Sequence, residues 1–296
     1  MSPADLRDRI ALVTGASRGI GLEVTRGLLE RGARVIAVSR DPERGKRTTD
    51  ELDQRFPGQI ELVTGDLGSV SETHRIADEV IEKTPRLDIL VNNAGVFTPQ
   101  RQQTDAGLEL TFAVNQVAPL LLTTKLLGPL RESPAARVVT VSSEAHRRAR
   151  FDLTDLQMES NFRGMTAYAN SKLANILLTS ELARREAESN ITAVALHPGV
   201  VDTGLLRNYI RDLPWIFRIF APLFRGAVSM EAHAAAESVL RVAADMEDES
   251  LARQAGCYFT GGHVREPATD AQSEATALVW WEAVEHVIAE QERSAR

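Results

Sequence analysis

The sequence predicts an α/β fold in which a doubly wound, mostly parallel sheet carries helices on both faces. Three observations support that expectation. Short apolar runs alternate with helix-length segments from Arg9 onwards, the order of repeated βαβ units. The first run ends in a glycine-rich turn. Later runs are followed directly by Asp66, Asn93, Gly95, Ser143 and His197-Pro198-Gly199, which would gather at the carboxyl edge of one sheet, where such folds bind ligands.

Arg9-Ile10-Ala11-Leu12-Val13 reads as a buried strand, followed by Thr14-Gly15-Ala16-Ser17-Arg18-Gly19-Ile20-Gly21. A helix then runs to about Arg31, Gly32 stops it, and Arg34–Ser39 forms a second strand. The glycines, spaced Gly-x3-Gly-x-Gly, let the backbone approach a pyrophosphate seated on the helix N-terminus. A plain strand-to-helix connection could carry the same glycines; the position between the first strand and first helix favours the binding reading. Helices near 43–56 and 71–83 flank a strand at Gln59–Val63. Strand Leu87–Val91 leads into Asn92-Asn93-Ala94-Gly95, a long helix near 105–131 contains Asn115, and strand Arg137–Val141 ends in Ser142-Ser143.

The loop 144–164 carries Arg147, Arg148 and Arg150, read as a solvated loop or, alternatively, as an anion site. The acidic run Asp245–Glu249 reads as a solvated turn. A helix near 228–244, a strand Cys257–Phe259 and a helix near 274–290 follow, the last with Ala277, Trp281, Val284 and Ile288 at core spacing. No linker, repeat or composition break divides the chain, so one domain over 1–296 is expected.

Composition narrows the function classes. The 296 residues carry a net charge of −7, which argues against a nucleic-acid partner. A single cysteine, Cys257, excludes an intrachain disulfide framework and fits a reducing, cytoplasmic setting. No signal peptide is expected from the first residues, and no apolar run reaches the ~18 residues of a membrane span. The six histidines lack ligand spacing, so no metal is expected.

Tyr168 and Lys172 stand four residues apart at the head of a segment read as an amphipathic helix, so their side chains share a face. A phenol has a pKa of about 10, and an ammonium nearby favours the phenolate. The pair is therefore a candidate acid/base for a hydroxyl or carbonyl oxygen.

Taken together, the glycine turn, Asn92-Asn93-Ala94-Gly95, Ser143, Tyr168 and Lys172 resemble the short-chain dehydrogenases/reductases, a Rossmann-type family. The stretches Val139–His146 and Ala167–Asn175, and His197-Pro198-Gly199-Val200-Val201, are similar to its retinol dehydrogenase-like branch. The resemblance implies cofactor phosphates at Gly15, Ser17, Arg18, Gly19, Ile20 and Gly21, and adenine beside Asp66 and Leu67. It places Asn93, Ala94 and Gly95 along the ribose side, and Pro198, Gly199, Val201 and Thr203 at the nicotinamide carboxamide. Tyr168 would be the acid/base and Ser143 the donor to the carbonyl oxygen. Lys172 would lower the tyrosine pKa and bind ribose, and Asn115 would hold a relay water. Ser142 would replace Ser143 if the strand ran one residue differently. Asn170 and Ser171 read as variations that decide nothing. The family also implies a homo-oligomer.

NADP(H) is the expected cofactor, because the second strand ends in Ser39 and Arg40 rather than in an acidic residue, and Arg18 sits in the glycine turn. Arg40 as a merely solvated strand end is the alternative. The segment 204–226, with Trp215-Ile216-Phe217 and Phe224, is expected to be a helical lid over a bulky apolar carbonyl or alcohol substrate. Its interspersed Arg207, Arg211, Arg218 and Arg225 also allow peripheral membrane contact, and a subunit interface or core is a third reading. Two rival functions are a carbon–carbon double-bond reductase of the protochlorophyllide reductase type and a non-catalytic dinucleotide sensor.

Overall fold

The computed structural model describes residues 4–199 and 232–294. The expected lid at 204–226, and with it Val201 and Thr203, lies outside the described residues. Eight strands form one sheet in the order β3-β2-β1-β4-β5-β6-β7-β8. They are β1 Ile10–Thr14, β2 Arg34–Ser39, β3 Ile60–Thr64, β4 Ile89–Asn92, β5 Ala136–Val141, β6 Ile191–His197, β7 Tyr258–Thr260 and β8 His263–Arg265. All neighbours pair in parallel except β7 and β8. The order reverses between β1 and β4, the switch point at which such sheets open a crevice.

Helices cover both faces, and this explains why the central strands are largely apolar. One face packs Leu12, Ile36, Leu90 and Val138 under α3 (Val70–Lys83), α5 (Ala118–Lys125), α7 (Gly164–Arg185) and α10 (Glu274–Ser294). The other packs Val13, Val35, Val91 and Val139 under α1 (Gly19–Glu30), α2 (Pro42–Asp53) and α8 (Ala232–Leu240). Local chemistry starts α2 and α3: Asp41 and Ser69 cap them through the Arg44 and Glu72 amides at 3.0 and 3.3 Å. Trp280 and Trp281 are fully buried, as the core spacing of the last helix implies.

Several expectations need correction. The helix near 105–131 begins only at α4 (Leu110–Phe112) and passes through a π-turn, Ala113–Val117, into α5. It then breaks at Leu126 before α6 (Leu127–Arg131). Helix α7 is not amphipathic but buried on almost every side from Ala169 to Thr179, because it lies between the sheet and α10. The run Asp245–Glu249 is exposed at Glu247, Asp248 and Glu249, as a solvated turn would be, but it also carries long-range ion pairs. Asp245 accepts two bonds from Arg31 at 2.8 Å. Asp248 opens α9 (Asp248–Ala252) and accepts from the buried Arg137 at 2.7 Å. Arg137 also donates to the Val242 carbonyl at 3.1 Å, so these long-range pairs pin the end of α8 beneath the sheet. Among the described residues no helix is long and apolar enough to cross a membrane.

Candidate active site

The glycine turn joins β1 to α1 at the carboxyl edge. Gly15 and Gly19 have φ of 68° and 57°, values that favour glycine. A Cβ on Gly21 would stand 2.3 Å from the Gly15 carbonyl oxygen, so helix and turn touch through bare backbone. Helix α1 has no side-chain cap and no acid in its first turn, unlike α2 and α3. Its first amides are thus open to an anion. Asn93 braces this turn: its side-chain amide donates to the Thr14 carbonyl at 2.8 Å, while the Asn93 and Ala94 amides donate to the Thr14 hydroxyl.

At the end of β5 the two serines separate. The Ser142 hydroxyl turns inward and donates to the Lys172 carbonyl at 2.6 Å. Both serines border the cleft, but it is the Ser143 side chain that bonds with Tyr168. Its hydroxyl accepts from the Ala145 amide at 3.2 Å and acts on the Tyr168 phenol. Lys172, buried in α7, donates from Nζ to the Val141 carbonyl at 2.9 Å and lies 5.6 Å from the Tyr168 ring centre.

Electrostatics corrects one expectation. In the protein alone the net shift of the tyrosine pKa is upward rather than downward. Burial pushes Tyr168 up to about 12, outweighing the Ser143 hydrogen bond, which favours the phenolate. Burial likewise pushes Lys172 down to about 8. Both groups lie where charge is poorly solvated, and the ammonium is directed at a carbonyl rather than at the phenol oxygen.

Asn115 sits in the π-turn, fully buried, beside the site rather than lining the cleft. Its Oδ1 accepts from the Val96 amide at 2.8 Å, and Nδ2 donates to the Val96 carbonyl and the Ser171 hydroxyl at 2.9 and 3.0 Å. Ser171 in turn donates to the Tyr168 carbonyl at 2.8 Å. Asn170 clamps the backbone of Arg150 from both sides, accepting at 2.8 Å and donating at 3.1 Å. The two residues read as deciding nothing therefore fasten Asn115 and the 144–164 loop to the tyrosine helix.

A cleft of about 1330 Å³ runs along this edge. It is lined by Gly15, Ser17, Arg18, Gly19, Ile20, Gly21, Arg40, Asp66, Leu67, Asn93, Ala94 and Gly95 at one end, and by Ser143, Tyr168, Lys172, Pro198 and Gly199 at the other. The same lining contains Arg44, Arg148, Arg150, Arg163 and Met165, of which only Arg148 and Arg150 carried a binding reading in the sequence, as the alternative anion site. For Arg148 and Arg150 the signal was the basic loop; Arg163 and Met165 gave none.

Comparison with known proteins agrees with this geometry. The family model for short chain dehydrogenases matches residues 9–213. Retinol dehydrogenase 14 from Mus musculus is 33% identical over 297 residues, covering 97% of this chain and 87% of that protein. Dehydrogenase/reductase SDR family member 13 from Bos taurus is 37% identical over 291 residues, covering 95% and 73%. Among solved structures, an uncharacterized protein from Mycobacterium Paratuberculosis superimposes with a TM-score of 0.75 at 29% identity, covering 97% of this chain and 95% of that one. An RhlG/NADP active-site complex from Pseudomonas aeruginosa gives 0.69 at 28% identity, covering 88% and 98%. The chain belongs to the short-chain dehydrogenase family, oxidoreductases that use a nicotinamide dinucleotide, and its curated relatives include retinol dehydrogenases.

Proposed function

We propose that the chain is an NADP(H)-dependent oxidoreductase interconverting a carbonyl and an alcohol on a bulky apolar substrate. The observation that carries this reading is that Ser143 and Tyr168 open into the same cleft as the uncapped, glycine-lined N-terminus of α1. The bare backbone at Gly15, Gly19 and Gly21 fits a dinucleotide, whose bound nicotinamide supplies hydride transfer.

The remaining chemistry is proton handling. The Ser143 hydroxyl donates to the substrate carbonyl oxygen and fixes its position. The Tyr168 phenol, protonated at neutral pH, gives its proton to the oxygen as negative charge develops there, because an alkoxide is far more basic than a phenolate. A protonated phenol needs no prior ionisation for this reductive direction. The Lys172 ammonium stabilises the phenolate left behind and is held in place by the Val141 carbonyl. Asn115 keeps the Tyr168–Ser171 turn in register through Ser171.

Cofactor choice rests on charge. Arg18 and Arg40 line the cleft without an ion-pair partner among the described residues. The nearby acid, Asp41, is already engaged as the α2 cap and by Arg44 at 2.9 Å. A 2′-phosphate would thus meet free guanidinium groups rather than a carboxylate. The apolar substrate is supported by Val96, Phe97 and Met165 in the lining, by the sequence of 205–225, and by the names of the retinol dehydrogenase relatives. The test is Tyr168→Phe assayed with NADPH against a panel of aldehydes and ketones. Activity should fall by roughly 10²–10⁴, the usual contribution of a positioned acid. Near-full activity would overturn the reading.

A further inference from the structure

Among the described residues the part of the cleft around Ser143 and Tyr168 is rich in arginine, which an uncharged apolar substrate does not require. Arg148, Arg150 and Arg163 line it together with Ser143 and Tyr168. Each is tied to a catalytic element. Arg148 ends the short helix Glu144–Arg148 that begins directly after Ser143. Arg150 is clamped by Asn170, two residues beyond Tyr168. Arg163 is the residue at which α7 starts. Their neighbour Arg147 is held by Glu144 at 2.7 Å, but these three have no ion-pair partner among the described residues.

The carboxylates in the lining are all engaged. Asp41 pairs with Arg44, Asp66 accepts from the Gly68 amide at 2.8 Å, and Glu144 is shared by Arg147 and Tyr258. A second observation comes from the backbone. The N-terminus of the 22-residue α7 has no side-chain cap and no acid in its first turn, and Arg163 stands at its N-cap position. Its orphan amides and the positive end of its dipole favour an anion at the same place. In a chain of net charge −7 this concentration of unpaired positive charge is not a general surface property.

The cofactor does not account for it. Arg40 follows β2, whereas Arg148 and Arg150 follow β5, three strands away in the order β2-β1-β4-β5. At about 4.8 Å per strand β2 and β5 lie roughly 14 Å apart, so a 2′-phosphate held at the end of β2 does not reach the end of β5.

We propose that the physiological substrate is an apolar carbonyl or alcohol compound bearing a carboxylate or phosphate group, which Arg148, Arg150, Arg163 and the N-terminus of α7 bind. The proposal rests on the carbonyl–alcohol reading above and narrows its substrate class. Guanidinium forks match the planar geometry of such oxyanions. Val96, Phe97 and Met165 would take the apolar part between the anion and the reacting carbon.

The experiment compares nonanal, azelaic semialdehyde, the methyl ester of that semialdehyde and an ω-phosphorylated nonanal, with saturating NADPH at low ionic strength. The acid should exceed its ester in kcat/KM by roughly tenfold, the sum of a few partly exposed ion pairs. The advantage should sit in KM and shrink as salt screens it. Arg148→Gln, Arg150→Gln and Arg163→Gln together should bring the acid-to-ester ratio close to one. A better phosphate than carboxylate substrate would assign the site to phosphate, and the reverse to carboxylate. Calorimetric titration of the protein with azelate, which cannot be reduced, reads the site without turnover. If azelate binds wild type but not the triple variant, and no aldehyde is reduced, the anion site stands and the carbonyl chemistry falls. An ester equal to or better than the acid, or azelate binding unchanged in the triple variant, would overturn the anion site and leave the carbonyl chemistry standing.

Discussion

His146 bridges the carbonyl of Ser143, 2.7 Å from its Nδ1, to the backbone amide of Ala268, 3.1 Å from its Nε2. A carbonyl can only accept and an amide can only donate, so these contacts assign the proton to Nδ1 and leave Nε2 bare. The ring is fully buried, edge-on to Tyr258 at 4.9 Å between centres. Burial holds its pKa below the usual histidine value; Arg147 acts the same way, while the Ser143 carbonyl and Glu144 oppose it. His197, at the end of β6, is lowered by burial as well.

Acid should therefore loosen the fold around Ser143. The folded-state pKa of His146 lies below the unfolded value of about 6.5, so the unfolded chain takes up the proton first. The stability from the neutral ring is complete above that pH and is lost as pH falls from there towards the folded pKa. His146→Gln can still accept from Ala268 but cannot titrate. Urea unfolding between about pH 8 and pH 5 should show a shallower loss of stability for the variant, by up to one proton in the slope. His197 would keep part of the dependence. An unchanged slope would mean that His146 does not titrate with unfolding.

Arg40→Ala should erode use of NADPH far more than use of NADH. The guanidinium is exposed in the cleft and unpaired among the described residues, so its removal leaves no buried group unsatisfied there and should not alter stability by more than about 0.5 kcal/mol. A charge-assisted bond to phosphate is worth about 1.5–3 kcal/mol, which corresponds to roughly a ten- to hundredfold loss in kcat/KM with NADPH. The measurement is kcat/KM for both cofactors in both proteins. A wild-type preference for NADH would contradict the cofactor proposal.

The strand and helix order was legible because a sheet covered on both faces needs continuous apolar runs, as in Ile10–Thr14 and Ala136–Val141. Tyr168 and Lys172 were legible through helical spacing, and the cleft does hold both. What stayed hidden depends on distant partners. Nothing local marks Asp245 as the mate of Arg31 or Asp248 as that of Arg137. The edge strand His263–Arg265 is exposed along its whole length and carries no hydrophobic signal. The π-turn at Asn115 shifts a helix register without a breaker residue to announce it. The direction of the Tyr168 shift follows from burial, which spacing does not report.

Gly21→Ala should damage the cofactor end specifically. Its new methyl group would fall 2.3 Å from the Gly15 carbonyl oxygen and 2.5 Å from the Asn93 side-chain nitrogen, so the turn itself must move. Overpacking of this kind costs about 1–3 kcal/mol. Gly58→Ala is the matched control: φ there is 72°, yet nothing lies within 4 Å of a Cβ. The control should lose about 1 kcal/mol of stability through backbone strain alone and bind dinucleotide normally. Fluorescence titration with NADPH and NADH separates the two. Equal affinity in Gly21→Ala and wild type would show that the turn does not contact the cofactor.

Lys172→Met should give a protein that is more stable and nearly inactive. Lowering a lysine from 10.5 to about 8 means that burial of the ammonium opposes folding at neutral pH. At 1.36 kcal/mol per unit that opposition is about 3 kcal/mol. Methionine removes the charge and fills similar space, while the lost bond to the Val141 carbonyl returns about 1 kcal/mol of destabilisation. A net gain of about 2 kcal/mol should therefore appear in unfolding near pH 7. Its pH dependence carries a sign. Between the folded and unfolded pKa values the unfolded lysine holds the proton that the folded one has released. This group therefore raises wild-type stability as pH climbs from about 8 to 10.5, and the advantage of the variant should narrow over that window. Catalysis should move the other way, because without the ammonium the phenolate formed when Tyr168 gives up its proton has no buried counter-charge. Denaturant midpoints and kcat/KM measured on one preparation test both halves. A variant that is less stable, or that keeps its activity, would show that Lys172 serves packing rather than proton transfer.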